Sequence, residues 1–232
     1  MAKRPLFIPN TNAIGVTIKE IDFIWYSGYS IIQKQKSIKS MHDNALKLGY
    51  ANILEISTKS PENIGSQLSA FNLSATSLIK SKKFTVEVAF QSSKIFEKGG
   101  PYLDILETDS RSAKKDLRLK TSGKLVGFRF FGRDFPLDPP TYFYDWLYIN
   151  TLMKNNDLFS RFMKFKAFTD IEFNPKKSIN CQAYSAALFA SMLYHGIVIN
   201  DIKDPIKFLE FNKNEYQSRR KDKNIDDYKL FE

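Results

Sequence analysis

Residues 85–98 form the stretch that most restricts how this chain can fold. Glu87, Gln91, Lys94 and Lys98 are spaced i, i+4, i+7 and i+11, and apolar residues fill most of the positions between them. At 3.6 residues per turn, these four polar side chains share one face of a helix. The pattern predicts a helix inside the core with one polar side.

Two interpretations of that polar side remain open. If it lines a pocket, the pocket contains a carboxylate, an amide and an amine side by side, which suit proton transfer and imine chemistry at a carbon atom. If it faces bulk water, Glu87, Gln91 and Lys94 are ordinary surface residues paired along a helix. Spacing alone favours the surface interpretation.

The rest of the chain predicts an α+β fold that is predominantly helical, with a few short strands. Hydrophobic periodicity, cap residues and glycine stops define the elements, and the sequence shows no internal repeat. The predicted helices are 30–48, 85–98, 110–121, 139–153, 157–166 and 180–195, and the predicted strands are 23–26, 53–57 and 125–131. The mostly charged stretch 212–232 predicts a solvated helix or a partly disordered segment without chemistry.

The helix predicted at 180–195 has a start suited to an anion. Ser178 or Asn180 is the expected cap, and Lys176 and Lys177 precede the unpaired amides of the first turn. Such a helix start is a natural diphosphate site. The alternative is a normally capped helix behind a basic loop, which is the commoner arrangement.

Composition indicates a globular intracellular protein. The chain has 232 residues, of which 43% are hydrophobic, so it can build one sizeable core. The single cysteine, Cys181, excludes an intramolecular disulfide framework and indicates a reducing compartment. No signal peptide or membrane span is apparent, so we expect a cytoplasmic location without membrane association.

The net charge of +10 is typical of a protein that attracts polyanions. The basic residues are spread along the chain, and phosphate contacts to nucleic acid and plain solubility explain them equally well. Metal chemistry is not expected, because neither His42 nor His195 has the spacing of a zinc ligand. Phosphate-binding glycine loops and hydrolase serine motifs are also missing from the sequence.

Four sequence blocks together resemble the NADAR family, also called YbiA-like. The order resembles the family's L-S-N-F element, its S-x-E-x-x-F-Q-x-x-K-F helix, a following basic helix, and a late W-x-D element with a helix start. The corresponding blocks here are 68–72, 84–96, 110–115 and 167–180. The family asparagine is Ala70 here, the late tryptophan is Phe168, and residues 174–177 replace a glycine-rich loop.

The extended pattern looks more like the NADAR proteins encoded beside DarT-type DNA ADP-ribosyltransferase toxins, the DarG type, than like YbiA itself. The segments that carry this likeness are 4–9, 33–38 and 171–180. The resemblance implies a single NADAR-like catalytic domain at residues 52–200. Residues 1–51 are then an N-terminal extension packed on the core, and residues 201–232 are a charged C-terminal tail.

The resemblance also implies a function and a set of site residues. The expected activity is release of ADP-ribose from guanine bases in single-stranded DNA, without a cofactor or metal, by an antitoxin whose partner is a DarT-type toxin. Lys94 is the expected nucleophile, Glu87 the proton shuttle, and Asp170 the residue that holds the ribose hydroxyls or orients water. The expected substrate-binding residues are Lys59, Ser69, Phe71, Phe90, Gln91, Phe168, Lys176, Lys177 and Asn180, with Phe90 and Phe168 sandwiching a base.

Two other function classes remain open. One is an N-glycosidase that acts on phosphoribosylamino-pyrimidines of riboflavin synthesis, the activity associated with YbiA-like relatives. It breaks the same type of bond but needs no DNA groove, and the basic charge of the chain makes it the second choice. The other is a non-enzymatic module that binds nucleic acid or a toxin.

Overall fold

The computed structural model describes residues 1–76 and 83–221. In chain order, the strands are β1 (Ala2–Pro9), β2 (Val16–Phe23), β3 (Ile53–Glu55), β4 (Ser74–Thr76), β5 (Lys83–Thr85), β6 (Lys94–Phe96), β7 (Leu125–Phe130), β8 (Arg133–Phe135) and β9 (Ala167–Thr169). The helices are α1 (Ile31–Lys47), α2 (Asn63–Gln67), α3 (Val86–Ser92), α4 (Ser110–Lys115), α5 (Arg118–Thr121), α6 (Tyr142–Met153), α7 (Asn156–Phe162), α8 (Gln182–Tyr194), α9 (Ile199–Lys203), α10 (Pro205–Phe211) and α11 (Lys213–Lys221), with a 3₁₀ turn at Leu103–Glu107.

The main sheet has the strand order β2-β1-β9-β3. β1 pairs antiparallel with both β2 and β9, whereas β3 and β9 are parallel. β9 is buried along its whole length, as expected for a short apolar strand in the middle of a sheet. Because β1 and β2 come from the predicted N-terminal extension, that segment is part of the same sheet as β9, the strand that ends next to Asp170.

Two smaller sheets lie on either side of α3 in sequence. β4 and β5 form an antiparallel pair, and β6, β7 and β8 form an antiparallel sheet in which Lys94 pairs with Phe128. The pairing register shifts between Ile95 and Phe96. α3 therefore connects two sheets and is short.

The main hydrophobic core extends through most of the chain. It includes Phe7 of β1, the inner residues of α3, α6 and α8, and Tyr216 of α11. Burying a large apolar side chain contributes about 1.5–3 kcal/mol. A smaller cluster, which contains Leu6, Ile21 and Met41, fills the space between the sheet and α1. The core thus draws on all three segments that the resemblance separates.

The segment after residue 200 contributes to this core. Phe208 of α10 is fully buried, and the Tyr216 hydroxyl donates a hydrogen bond to Asp145 Oδ2 at 3.2 Å. Tyr184 donates to Glu215 Oε1 at 2.6 Å. Residues 201–221 therefore contain packed helices. For the stretch predicted at 212–232 as a solvated helix or a partly disordered segment, residues 213–221 form a packed helix, and residues 222–232 lie outside the described residues. Lys80 and Lys82, two of the basic residues spread along the chain, also lie outside the described residues.

The helix predicted over 85–98 is the most consequential error, because α3 ends at Ser92. The hydroxyls of Ser92 and Ser93 both donate to the carbonyl oxygen of Ala89, at 3.0 and 2.7 Å, which competes with continued helical hydrogen bonding. Ile95 and Phe96, which favour strands, then pair with β7. Lys94 and Lys98 consequently do not share a helix face with Glu87.

Other predicted elements differ in their bounds. The helix expected at 110–121 is broken into α4 and α5 at Asp116, which has extended backbone angles and caps the next turn by accepting from Arg118 N at 2.9 Å. The strand expected at 23–26 ends at Phe23, and the helix expected at 157–166 ends at Phe162. The helix expected at 30–48 is confirmed, with Ser30 accepting from Gln33 N and Gly49 following at φ +89°.

Candidate active site

α3 brings Glu87 and Gln91 together inside the molecule. Both side chains are 6% exposed, and Gln91 Nε2 donates a hydrogen bond to Glu87 Oε1 at 2.9 Å. Thr85 caps the helix by accepting from Val88 N at 3.3 Å. Because every residue of α3 is buried, the surface interpretation of Glu87 and Gln91 is wrong. The i, i+4 relation predicted from the sequence holds for this pair.

Lys94 reaches the same region from the start of β6. Its Nζ atom lies 5.1 Å from the centre of the Phe90 ring. The pKa of Lys94 is lowered to about 8, chiefly by burial, while the charge of Glu87 raises it and the charge of Lys114 lowers it. The Lys94 amine is therefore within electrostatic range of the Glu87 carboxylate, although the two residues belong to different elements.

The loop at residues 69–73 is fixed against α3 by hydrogen bonds from both sides. Glu87 N donates to the Ala70 carbonyl oxygen at 2.9 Å, and Ala70 N donates to Gln182 Oε1 at 2.6 Å. The Ser110 hydroxyl donates to the Phe71 carbonyl oxygen at 3.0 Å. Every one of these bonds holds the backbone of the loop, so its side chains are presented in a defined arrangement.

Asp170 is buried at the turn that follows β9. Its Oδ1 atom accepts from the backbone amides of Glu172 and Phe173 at 3.0 and 3.1 Å, and Gln182 Nε2 donates to Oδ2 at 3.0 Å. Burial raises the pKa of Asp170 well above its usual value, and the nearby Glu55 carboxylate adds to the rise. The carboxyl group is therefore firmly held and costly to ionise.

Tyr144 of α6 is buried against Phe90 of α3. Burial raises the pKa of its hydroxyl well above the usual value, and the charges of Glu87 and Asp170 both contribute to the rise. Hydrogen bonds link the backbone of Glu87 to the Asp170 carboxylate: Glu87 N donates to the Ala70 carbonyl oxygen, and Gln182 bridges Ala70 N and Asp170 Oδ2. Lys94 is coupled to Glu87 through its charge.

The predicted aromatic contacts have different positions. Phe71 is half-buried, and Lys114 Nζ lies 5.3 Å from the centre of its ring. Phe90 is buried against Tyr144 at 5.2 Å between ring centres, with Lys94 on its ring. Phe168 is fully buried in β9 and stacks on Phe162 at 5.1 Å between ring centres. Phe168 is thus a core residue, and its expected role in sandwiching a base is wrong.

The predicted phosphate contacts lie on the edge of this region. Lys176 and Lys177 are exposed in the loop before α8, and Lys59 is half-buried after β3. Ser69 is buried, with its hydroxyl 3.4 Å from Phe71 N. The two loop lysines are accessible to a ligand, whereas the Ser69 hydroxyl accepts a hydrogen bond from the backbone of its own loop.

The start of α8 differs from the expected capped helix. Cys181 occupies the cap position without a side-chain hydrogen bond, and Ser178 donates instead to the carbonyl oxygen of Asn180 at 3.2 Å. The predicted cap by Ser178 or Asn180 is therefore wrong. Asn180 lines a small cavity beside Phe90 and Tyr144, and its Oδ1 atom is buried without a partner in the described part of the chain. Gln91 Oε1 is also buried without a hydrogen-bond partner among the described residues.

Sequence reasoning missed two residues that organise the site. Gln182 is a polar residue at the first position of an otherwise apolar helix, a signal that pointed to a buried polar contact. Tyr144 stands in an aromatic helix with no distinguishing pattern. The described residues include no group of three or more His, Cys, Asp or Glu side chains that could hold a metal ion, and no described helix is long and apolar enough to cross a membrane.

Comparison with known proteins shows which family the chain belongs to. None of the curated proteins compared with the chain matches it significantly. A family model described as DarT1-associated NADAR antitoxin matches residues 2–222, which confirms the resemblance drawn from the sequence motifs. The match includes the site and all of the sheet and helices described above. The chain therefore belongs to the family of DarT1-associated NADAR antitoxins.

Proposed function

We propose that this chain is a glycohydrolase that removes ADP-ribose from guanine bases in single-stranded DNA. In this role it reverses the modification made by a DarT-type toxin. The family membership supports an antitoxin, and the site supports the chemistry. The observation that carries the proposal is the Lys94 amine with a pKa of about 8, on the Phe90 ring and within range of Glu87.

A lowered pKa is what covalent catalysis by a lysine requires. Only the neutral amine is a nucleophile, and burial increases the fraction of lysine side chains that are neutral at pH 7. We propose Glu87 as the residue that exchanges protons with the reacting atoms, because its charge acts on Lys94 and Gln91 orients its carboxylate. The pair thus has the features of an amine nucleophile with its own acid–base partner.

The proposed reaction begins at the anomeric carbon that joins the ribose to the guanine amino group. Protonation of the ring oxygen opens the ribose, and the electron pair on the guanine nitrogen forms a carbon–nitrogen double bond. The neutral Lys94 amine adds to this carbon. Proton transfer through Glu87 then lets the guanine amine leave, and Lys94 is left as an imine of the opened ribose.

Water completes the reaction. It adds to the imine carbon, a proton passes to the lysine nitrogen, and the carbon–lysine bond breaks. The released aldehyde closes to ADP-ribose, so one water is consumed for each guanine restored. Asp170, held by Gln182 and two backbone amides, is proposed to hold the ribose hydroxyls or to orient this water.

The remaining contacts are proposed as ligand positions. Phe71 offers a half-buried ring at the site edge, and Gln91 and Asn180 have buried side-chain oxygens without partners in the described residues. Lys59, Lys176 and Lys177 are proposed to contact the phosphates. Lys176 and Lys177 are exposed and Lys59 is half-buried, so all three can be reached by a ligand from solvent.

Turnover of guanine-ADP-ribosylated single-stranded DNA tests the proposal directly. We expect Glu87→Gln to lower turnover by at least a hundredfold, the scale of general acid–base catalysis, with an unchanged melting curve because the change is isosteric. Glu20→Gln, at an exposed position on β2, is the matched control and should keep full activity.

The same assay separates the rival functions. Hydrolysis of a free phosphoribosylamino-pyrimidine, without hydrolysis of the modified DNA, would assign the site to small nucleotides. Binding of modified DNA without turnover of either substrate would indicate a non-enzymatic module. Glu87→Gln activity within a few fold of the unmodified chain would remove Glu87 from the mechanism.

A further inference from the structure

The segment between β2 and α1 is held in an extended form by a ladder of side chains from α1. Asn44 Nδ2 donates to the Asp22 carbonyl oxygen at 2.8 Å, and the hydroxyls of Ser40 and Ser37 accept from Ile24 N and Tyr26 N at 3.0 and 2.9 Å. These three helical positions are spaced so that they share one face of α1. The backbone of 22–26 is thus fixed at every second residue.

This fixed segment presents aromatic rings together with lysines. Trp25, Tyr26, Tyr29, Lys34 and Lys36 form what we call the aromatic–basic face. Lys34 Nζ lies 4.4 Å from the Trp25 ring centre, and Lys36 Nζ lies 6.0 Å from that of Tyr26. The Tyr29 side chain is 99% exposed, on a turn that requires Gly28 at φ +124°.

Basic residues outnumber acidic ones along this face. Residues 24–42 contain three lysines and no aspartate or glutamate, although Lys34 pairs with Glu172 and Lys39 with Asp43 from outside this range. Lys36 is exposed and forms no ion pair with a described residue. The Arg4 guanidinium adds a further cation, 5.6 Å from the Trp25 ring centre. Cations that alternate with accessible rings are the pattern by which proteins hold single-stranded nucleic acid, with phosphates on the cations and bases on the rings.

The face is continuous with the candidate active site. Lys34 Nζ forms an ion pair with Glu172 Oε1 at 2.9 Å, and Glu172 N donates to Asp170 Oδ1 at 3.0 Å. The turn that carries Asp170 therefore touches the aromatic–basic face directly. A strand whose modified guanine enters the site has this face within reach of its neighbouring nucleotides.

We propose that the aromatic–basic face binds the single-stranded DNA that flanks the modified guanine. The proposal rests on the proposed function for the identity of the strand, and it adds where that strand lies. Exposed isoleucines at 24, 31 and 32 also border the face, as a protein interface would have. Lysine is depleted in such interfaces, however, so the lysines of this face favour nucleic acid.

Binding of an unmodified, fluorescent single-stranded oligonucleotide of about twelve nucleotides tests the face without depending on catalysis. The variant is the full chain with Tyr29→Ala and Lys36→Ala. Both side chains are exposed, so we expect an unchanged melting curve. The control carries Tyr194→Ala and Lys213→Ala, which remove the same two residue types from exposed positions elsewhere.

We expect the face variant to bind at least tenfold more weakly and the control to stay within twofold of the unaltered chain, since each stacked base and phosphate contact contributes to affinity. In turnover, the KM for modified DNA should rise by a similar factor, while kcat/KM for ADP-ribosylated guanosine stays the same. Oligonucleotide affinity within twofold of the unaltered chain would overturn the proposal and leave the exposed isoleucines to a protein partner. The unaltered chain could also turn over neither substrate while the face variant still binds the oligonucleotide more weakly. That outcome would support the role of the aromatic–basic face in binding and would show that the proposed function is wrong.

Discussion

The pKa of Lys94 determines how much neutral amine the site holds at a given pH. With a pKa of about 8, roughly a tenth of the Lys94 side chains are neutral at pH 7, whereas an ordinary lysine is neutral in only about three molecules in ten thousand. Burial is the largest cause of the lowered pKa of Lys94. The second largest effect, the charge of the Glu87 carboxylate, raises this pKa. Lys94 is therefore both available as a nucleophile and able to return to the charged form beside Glu87.

Lys94→Ala and Lys94→Arg test whether this amine forms the proposed imine. Borohydride added during turnover should trap the unaltered chain as a stable adduct of ADP-ribose, detected by mass spectrometry. Both variants should lose the adduct and the turnover, because arginine keeps the charge but cannot become a neutral amine. Lys98→Ala is the matched control: Lys98 is exposed, four residues away, and should be dispensable.

Retained activity in Lys94→Arg, or the absence of an adduct during fast turnover, would contradict the covalent step. Lys94 would then be a contact for phosphate or ribose. Direct attack by water, oriented by Asp170 or Glu87, would become the better mechanism.

At the scale of elements, Gln182 connects the start of α8 to three other parts of the fold. Its amide nitrogen donates to the Ile56 carbonyl oxygen at 2.7 Å and to Asp170 Oδ2 at 3.0 Å, and its oxygen accepts from Ala70 N at 2.6 Å. One side chain thus connects the end of β3, the Asp170 turn and the loop beside α3. All of these bonds are buried, where an unsatisfied partner is costly.

We expect Gln182→Met to lower the free energy of unfolding by about 2–4 kcal/mol, because it leaves buried backbone groups without partners. Urea denaturation measures this loss. Gln67→Met, at an exposed position on α2, should change stability by less than about 0.5 kcal/mol. Equal stability of the two variants would mean that water or relaxation replaces the Gln182 bonds.

Local signals in the sequence predicted α1 well and the end of α3 poorly. Ser30 and Gly49 define α1 through contacts within a few residues, so its bounds could be predicted. The end of α3 depends on the pairing of Lys94 and its neighbours with β7, more than thirty positions later. Hydrophobic periodicity reflects only contacts between residues close in sequence. The helix predicted from it therefore ran on through residues that pair in a sheet.

The site residues divide in the same way. Glu87 and Gln91 could be found because their relation is one helical turn, and the family motif pointed to Lys94 and Asp170. Phe168 was misplaced because a motif position carries no information about burial, and the ring here fills the core against Phe162. Tyr144 has no local pattern that marks it, and the polar Gln182 at the start of α8 indicated a buried contact but not its partners, which come from distant parts of the chain.

At the scale of the whole molecule, α11 is joined to the core through a buried aspartate. Asp145 accepts from the hydroxyls of Ser185 at 2.6 Å, Thr141 at 2.7 Å and Tyr216 at 3.2 Å. Arg219 of α11 lies 3.9 Å from the Tyr184 ring centre in the same region. Burial nevertheless outweighs these contacts and raises the pKa of Asp145 to about 6.

The raised pKa of Asp145 predicts that the free energy of unfolding decreases as the pH rises. Below about pH 4, Asp145 is protonated in both the folded and unfolded chains; between about pH 4 and 6 the unfolded chain loses its proton first, so the folded state loses stability as pH rises. Relative to Asp145→Asn, the unaltered chain should lose on the order of 3 kcal/mol of unfolding free energy between pH 4 and pH 7.

Urea denaturation of both proteins across this pH range measures the difference. Asp134→Asn is the control, because hydrogen bonds from Arg129 lower the pKa of Asp134, and its effect should have the opposite sign. Parallel stability curves for the unaltered chain and Asp145→Asn would show that the pKa of Asp145 is the same in the folded and unfolded chains.

The charge of the whole chain determines how binding should respond to salt. With a net charge of +10, contacts from lysines to a DNA backbone release counterions, so affinity for a single-stranded oligonucleotide should fall as salt rises. Three phosphate contacts give a slope of about −2 in a plot of log affinity against log salt, or roughly a sixteenfold loss from 50 to 200 mM. Fluorescence anisotropy measures this slope, and Lys176→Ala with Lys177→Ala should make it shallower by about 1 because both lysines are exposed beside the site. An affinity that stays constant over this range would favour a small nucleotide substrate, since a ligand that contacts one or two lysines releases few ions.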